Sequence, residues 1–311
     1  MLQLSLQCLH TRIEPLPTAL VLRMEIYLQI LSSLSTHTSN AVQAQACKTI
    51  SSLLAMRTEY LQTPIASITE VILKSMSNID ESVALEAAEF WLHYATLDEE
   101  SLTPLMQSTL TEIYPRMVFS EEKIQDILIE NEEFLQEQQM NHNIYLAKNQ
   151  APIFHRSKAA SKSGNTKKNS GDNTESDDDS EGTNPNMDDD DDDSIWTLRK
   201  CAAATLDSLS ALLPASITLP PLLPLLQSGL SNNDNIWVRE ASILALGAIA
   251  YGCHTEMTQN YLPQLHPFLI QQIEVESIPQ IRCIACWTLR RYADWTLAHA
   301  DRWLRKEGTD I

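Results

Sequence analysis

The sequence repeats one helical pattern at intervals of about forty residues, and this recurrence constrains the fold more than any other feature. Val238–Ala250 and Ile281–Ala293 both begin with an apolar residue followed by Arg, and both have Leu at the ninth position. Leu198–Ser210, Val83–Ala95 and Val42–Leu54 fit the same frame. The first two starts lie 41 residues apart, and the last three are separated by 40 and 43 residues. Such a chain is built from repeated units that bury their apolar faces against one another.

A second pattern supplies a partner helix for two of these units. Leu219–Leu226 and Leu262–Leu269 share the motif L-P-x-L-x-P-x-L, and their first prolines, Pro220 and Pro263, lie 43 residues apart. Proline is tolerated in the first turn of a helix because the amide it lacks would be unpaired there. Two helices per unit and a period near forty are typical of HEAT or armadillo repeats. The sequence therefore predicts an all-α HEAT-repeat solenoid with a concave surface.

The remaining helices are predicted from apolar periodicity. They are Leu20–Leu34, Leu61–Met76, Leu102–Met117 and Glu121–Gln138. Pro15 and Pro17 predict irregular chain over residues 1–19, because proline removes a hydrogen bond from a helix interior.

One interval of the array is far longer than the others. From Val83 to Leu198 it measures 115 residues, so extra sequence interrupts the repeats there. Within it, Asp172–Asp193 holds 12 carboxylates and neither Lys nor Arg. These charges repel one another and no apolar neighbours compensate the entropy of ordering, which predicts a long disordered loop. The predicted domains are N-terminal HEAT repeats over 1–150, a basic-then-acidic loop over 151–194 and C-terminal HEAT repeats over 195–311.

The acidic part of the loop is a candidate partner-binding segment. A passive linker is the alternative, but a loop that interrupts one repeat can reach the concave surface, and its charge suits a basic protein or peptide. Ser176 and Ser180 adjoin aspartates, the setting that an acid-directed kinase prefers. The candidate binding residues are Asp177, Asp178, Asp179, Glu181, Asp188, Asp189, Asp190, Asp191, Asp192 and Asp193.

Composition and motifs argue against several function classes. The net charge of −19 disfavours direct nucleic-acid binding, which needs a basic face. The sequence has no phosphate-binding glycine loop, no H-E-x-x-H and no G-x-S-x-G, so we predict no enzyme and no cofactor. Cys283 and Cys286 lie mid-helix without a second cysteine pair or a suitably spaced histidine, so no metal site is predicted.

The six cysteines also bear on the compartment. Most lie in apolar helical stretches, so they are predicted to be reduced core residues. The first residues do not form a signal peptide, and no apolar run approaches the ~20 residues needed to span a bilayer. A protein of the cytosol or nucleus, without membrane insertion, is therefore expected.

Five segments taken together resemble one known family. They are Glu81–Leu92, Phe154–Ser157, Ile195–Asp207, Trp237–Ala250 and Arg282–Ala293. The set resembles the transportins, which are the karyopherin-β2 class of nuclear import receptors in the importin-β superfamily. The resemblance covers nearly the whole chain and roughly the middle third of the family's length.

The resemblance implies a function that the repeats alone do not. Transportins bind cargo proteins through nuclear localisation signals of the Pro-Tyr type, and they contact nucleoporins while shuttling between cytoplasm and nucleus through the nuclear pore. The GTP form of the Ran GTPase releases the cargo, and the acidic loop couples the two events. Phe154, His155 and Arg156 would anchor that loop. The alternative is a generic HEAT-repeat protein–protein interaction scaffold.

Overall fold

The computed structural model describes residues 1–61, 65–97, 99–140 and 196–304, with side chains 135–140 and 300–304 left out. All the regular structure in these ranges is helical, which confirms the predicted all-α class. The predicted acidic loop lies outside the described residues.

The helices fall on two sides of this gap. Before it are α1 (Leu2–His10), α2 (Thr18–Val21), α3 (Met24–Leu34), α4 (Asn40–Met56), α5 (Ile65–Met76), α6 (Glu81–Tyr94), α7 (Glu99–Leu102), α8 (Met106–Ile113) and α9 (Glu121–Met140). After it are α10 (Leu198–Leu212), α11 (Ala215–Leu230), α12 (Ile236–Ala248), α13 (His254–Glu256), α14 (Leu262–Val275), α15 (Pro279–Arg291) and α16 (Ala293–Leu304). Short 3₁₀ turns extend several ends, including Tyr114–Met117 after α8.

Ten of these helices form five layers, each with a first and a second helix. The pairs are α3 with α4, α5 with α6, α8 with α10, α11 with α12, and α14 with α15. The segments predicted from the repeat frame at Val42, Val83, Leu198, Val238 and Ile281 are the five second helices. The prediction of a stacked helical array is therefore confirmed.

The second helices stack in chain order, α4 on α6 on α10 on α12 on α15. The first helices contact one another less extensively. An array whose second helices pack more closely than its first helices bends with the second helices on the inside. The second helices therefore form the inner, concave surface of the array.

Side-chain caps fix where several second helices begin. The Asp80 carboxylate accepts hydrogen bonds from the amides of Ser82 and Val83 at the start of α6. The Asn235 side chain accepts from the amides of Trp237 and Val238 at the start of α12. These bonds satisfy amides that the helix itself leaves unpaired.

The N-terminal prediction was wrong. Residues 2–10 form helix α1, which packs on α4 as a further layer of the stack. Leu6 and Ile13 are buried, with 3% and 1% of their surfaces exposed. Leu2 also stands 40 residues before Val42, the spacing of the repeat. The prolines follow this helix rather than interrupt it, so they do not prevent it from forming.

Different polar contacts join neighbouring layers along the chain. In the first two layers Asn40 donates to Asp80 at 2.9 Å, Asn78 donates to Gln43 at 2.7 Å, and Lys48 pairs with Glu86 at 2.9 Å. In the last three layers arginines take this role. Arg199 pairs with Glu240 at 2.7 Å, and Arg239 pairs with Glu276 at 3.0 Å.

The insertion separates the two helices of the third layer. The chain leaves that layer after Met117 and returns at α10, yet α8 and α10 still pack directly. The long interval predicted from the repeat spacing is therefore located inside one helix pair.

Candidate functional site

The partner-binding residues predicted from the sequence cannot be placed in the structure. Phe154, His155 and Arg156, and the ten carboxylates between Asp177 and Asp193, lie in 141–195, outside the described residues. Their roles stay predictions. Two sites of interest do lie in the described part of the chain: the base of the insertion and a cleft on the inner surface.

Arg199 closes the base of the insertion. Its guanidinium pairs with the Glu240 carboxylate at 2.7 Å and donates to the carbonyl oxygen of Met117. It also lies over the Phe119 ring, 3.8 Å from the centroid. Met117 and Phe119 stand where the insertion begins, and Arg199 stands where α10 begins. One side chain therefore ties both ends of the insertion to α12.

Glu240 is a buried carboxylate with one ionic partner, Arg199, in the part of the chain that the structure describes. Only 2% of it is exposed, and burial raises its pKa while Arg199 opposes that shift. Its second oxygen, Oε2, has no hydrogen-bond partner among the described residues. A buried charge of this kind is tolerated only while its counter-ion stays in place. The base of the insertion thus depends on the Arg199–Glu240 pair.

Helix α9 carries the chain from the third layer across the fourth to the fifth. Ile124 and Ile127 are buried against Trp237 of α12, whose ring also meets Phe119 edge-on at 5.7 Å. Farther along, Asn131 donates to Gln280 of α15 at 3.1 Å. The insertion therefore begins as an ordered helix laid across the starts of two second helices.

An open cleft of about 620 Å³ lies near the carboxyl ends of α10, α12 and α15. Its lining residues are Asp207, Ser208, Ala211, Ala250, Tyr251, His254, Arg291 and Asp294. The α10 residues among them stand on the partly exposed side of that helix. Because the other sides of α10 pack on α6, α8, α11 and α12, this side faces the inner surface.

The cleft combines charges of both signs with an exposed ring. Arg291 donates to Asp207 at 2.9 Å and to the carbonyl oxygen of Gly247 at 3.1 Å. Burial raises the pKa of Asp207, and the Arg291 charge opposes this. Tyr251 is 78% exposed at the rim. These groups are suited to bind a peptide with polar and aromatic side chains.

The described residues hold no group of three or more His, Cys, Asp or Glu arranged for a metal ion. No helix in that part of the chain is long and apolar enough to cross a membrane. All six cysteines are free. Cys47, Cys201 and Cys253 are buried as predicted, whereas Cys8 and Cys286 are exposed, contrary to the prediction of core residues. Burial raises the pKa of Cys47 and of Cys253 to about 11, which disfavours the reactive thiolate form of both.

The cleft was not predicted from the sequence, although the repeat frame contained a signal. Asp207 and Gly247 occupy the same position in successive repeats. The glycine at this position marks a place where a neighbouring side chain can approach closely, as Trp287 does at Gly247.

Comparison with known proteins first identifies the fold class of this chain. A family model described as a HEAT-like repeat matches residues 236–292, from the start of α12 through the end of α15. The fold is similar to the crystal structure of Kap121p, with a TM-score of 0.56 and 14% identity over 92% of this chain and 23% of that one. The chain therefore has the HEAT-repeat solenoid fold of the karyopherins.

Relatives in sequence show which proteins of this fold class the chain is related to. Mouse (Mus musculus) Transportin-1 is 33% identical over 320 residues, covering 99% of this chain and 32% of the relative. Importin subunit beta-2 of Schizosaccharomyces pombe is 32% identical over 308 residues, covering 94% of this chain and 32% of the relative. The chain is a relative of transportin, as the sequence resemblance indicated, and it spans about a third of the length of these relatives.

Proposed function

We propose that the chain serves nuclear protein import as a transportin-type receptor or part of one, and not as an enzyme. The observation that carries this proposal is the similarity to Transportin-1 across 99% of the chain. By analogy we place the protein in cytoplasm and nucleus, shuttling through the nuclear pore.

The partners are proposed on the same basis. Solved structures of this fold include Kap95p with RanGDP, a Kap95:Nup1 complex, and Kap121p bound to the SUMO protease Ulp1p. We propose corresponding partners for this chain: Ran in its GTP form, nucleoporins, and cargo proteins with Pro-Tyr type signals.

The inner-surface cleft is the proposed cargo site. An extended signal peptide would run across the carboxyl ends of three second helices, with its aromatic side chain near Tyr251. Asp207 and Asp294 offer two carboxylates for its polar and basic groups. The cleft is open to solvent, so it accepts a chain segment rather than only a small molecule.

The acidic segment is the proposed coupling element, within a loop that spans 151–194. Its base is tied through Arg199 to Glu240 near the start of α12, and Ala250 just beyond the end of α12 lines the cleft. These two points are about 15 Å apart along the helix. A protein that pulls on the insertion therefore acts on the helix that also supports the cleft. Asp177–Asp179, Glu181 and Asp188–Asp193 would meet Ran or compete with cargo.

The test is a set of binding measurements on the full chain. A fluorescent Pro-Tyr signal peptide and GTP-loaded Ran are titrated against wild type, Asp207→Asn, and a variant with Asp188–Asp193 changed to Asn. We expect Asp207→Asn to weaken the peptide about tenfold, the loss of a charge-assisted hydrogen bond. The six-Asn variant should bind peptide normally but fail to release it when Ran is added. Equal peptide affinity for all three proteins would contradict the cargo site, and unchanged release would contradict the loop's role.

A further inference from the structure

Helix α9 has two different faces. One side contacts the array through the residues described above. On the opposite side, Glu122, Asp126, Ile129 and Glu133 follow one another at intervals of four, three and four residues, which places them along one line of the helix surface. All four are exposed. We call this line the outer stripe of α9.

The outer stripe belongs to a strongly anionic helix. Between residues 121 and 134 there are six exposed carboxylates and a single cation. Glu122, Asp126 and Glu130 stand four residues apart in succession, and like charges at that spacing destabilise a helix. Ile129, 55% exposed, adds an apolar side chain among these charges. A segment with several cations and an apolar residue therefore stabilises α9 when it binds there.

A segment of this composition follows α9 in the same chain, outside the described residues. Residues 141–171 carry six cations and no carboxylate. Within them, residues 153–168, which we call the basic segment, begin with two apolar residues and hold five cations. Twelve residues separate Met140 from this segment, and an extended chain of that length reaches about 40 Å. Ile129 lies about 16 Å from the end of α9, so the basic segment can reach the outer stripe.

We propose that the outer stripe of α9 is the docking surface for the basic segment of the same chain. The carboxylates of the stripe pair with cations of the segment, and Ile153 or Phe154 covers Ile129. The segment is tethered to the end of α9, which gives it a high effective concentration at the stripe. Several surface ion pairs, each of them weak, are therefore enough to hold it there.

The acidic half of the insertion, Asp172–Asp193, is the competing partner for the same cations. It offers more charge, but Met187 is its only large apolar side chain, so it has little with which to cover two apolar residues. On α9 the charges already stand on a formed helix, so docking there orders one partner only. The consequence of docking on α9 is that the acidic half keeps its negative charge for a basic partner. This inference requires neither cargo nor Ran, so it holds or fails independently of the proposed function.

Distance measurement between two spin labels on the full chain tests the docking. One label is placed at Gln125→Cys on α9 and the other at Ser161→Cys in the basic segment. The cysteines that are not buried are changed to Ser: Cys8, Cys283 and Cys286. Docking predicts one narrow distribution of distances. Raising the salt to about 1 M should lengthen and broaden it, because surface ion pairs are screened.

The outer stripe is then neutralised. The three changes are Glu122→Gln, Asp126→Asn and Glu133→Gln. We expect the mean distance to lengthen by about 10 Å and its distribution to broaden, because a released tether of about twenty residues spans about 25 Å on average. A matched control removes three exposed carboxylates from the first two layers: Glu25→Gln, Glu59→Gln and Glu70→Gln. It changes the net charge equally and should leave the distribution unchanged. Identical distributions for wild type and the neutralised stripe would overturn the docking.

Two further variants identify the partner of the cations. The first exchanges the charges on both sides, with Glu122→Lys, Asp126→Lys, Glu133→Lys, Arg156→Glu, Lys158→Glu and Lys162→Glu. It should restore the wild-type distance, whereas the three changes to Lys alone should lengthen it. The second changes Asp188–Asp193 to Asn and should leave the distance as in wild type. A shorter distance in the second variant would show that the acidic half holds the basic segment in wild type, and would overturn the proposal.

Trypsin gives a readout without labels, since the neutralised stripe keeps every tryptic site. We expect cleavage after Lys158 and Lys162 to be about fivefold slower in wild type than in the neutralised stripe, because the rate follows the population of the undocked state. The matched control should be cleaved like wild type. Equal rates for wild type and the neutralised stripe would also overturn the docking.

Discussion

The layers before and after the insertion are joined by different chemistry. Before it, Lys48 and Glu86 pair at the surface, where 49% of the Lys48 side chain is exposed. After it, Arg199 meets Glu240 with only 2% of the carboxylate exposed. Surface pairs contribute little to stability and are easily replaced, whereas a buried pair is costly when broken. The base of the insertion is therefore a place where a buried charge depends on one specific partner.

The largest difference between the two regions should appear when one cation is removed from each. We expect Arg199→Met to lower the free energy of unfolding by about 3–5 kcal/mol, because Glu240 is left as an unpaired buried charge. Lys48→Met should cost about 0–1 kcal/mol. Urea denaturation followed by circular dichroism measures both. The double variant Arg199→Met with Glu240→Met should recover much of the stability that Arg199→Met loses. Equal losses for Arg199→Met and Lys48→Met would contradict the difference between the buried and the surface ion pair.

The close packing of α15 side chains on Gly247 of α12 predicts a second loss of stability. Gly247→Ala places a methyl group against the Trp287 ring and Thr288, so we expect a loss of about 1–3 kcal/mol from overpacking. Alanine would otherwise stabilise a helix interior relative to glycine by roughly 0.5–1 kcal/mol. The sign of the change in melting temperature is therefore decisive: an increase would show that Trp287 does not cover Gly247 closely.

The residues that precede α12 and α4 should differ in how much they stabilise the chain, by a smaller amount than the preceding changes. Asn235 caps α12 through two amide bonds, whereas Ser39 makes no side-chain cap bond at the start of α4. We expect Asn235→Ala to cost about 1 kcal/mol and Ser39→Ala to change stability by less than about 0.5 kcal/mol. Thermal unfolding of the two variants measures both losses of stability. A larger loss for Ser39→Ala than for Asn235→Ala would contradict the role of Asn235 as the stronger cap.

The buried carboxylate also predicts a pH dependence. Burial raises the pKa of Glu240, so the folded chain holds that proton at a higher pH than the unfolded chain does. Wild type should therefore lose stability relative to Glu240→Gln as the pH rises from the ordinary glutamate pKa through the raised one. Gln keeps an oxygen that can accept from Arg199. Denaturation curves from pH 4 to pH 8 test this, and parallel curves would contradict it.

Layer order was predictable from the sequence, whereas the cleft was not. The second helices carry apolar residues at the same positions of the repeat, so Val238 and Ile281 signal the same role wherever they recur. Asp207 and Arg291 meet because three helices converge, and the repeat frame shows only the glycine at this point, Gly247, and not the two side chains that meet beside it. The misjudged start of the chain has a simpler cause, since Pro15 and Pro17 lie beyond α1 and not within it.

The central claim is that the helices form a layered array and that the insertion interrupts its third layer. The most direct test is to remove most of the insertion. Residues 141–195 are replaced by a flexible Gly-Ser linker of about twenty residues, long enough to let α9 and α10 keep their positions. Unfolding of this variant is compared with wild type by calorimetry. We expect one cooperative transition at a melting temperature within a few degrees of wild type, because α8 and α10 pack directly without the insertion. A split transition, or loss of the folded state, would contradict the direct stacking of the layers across the insertion.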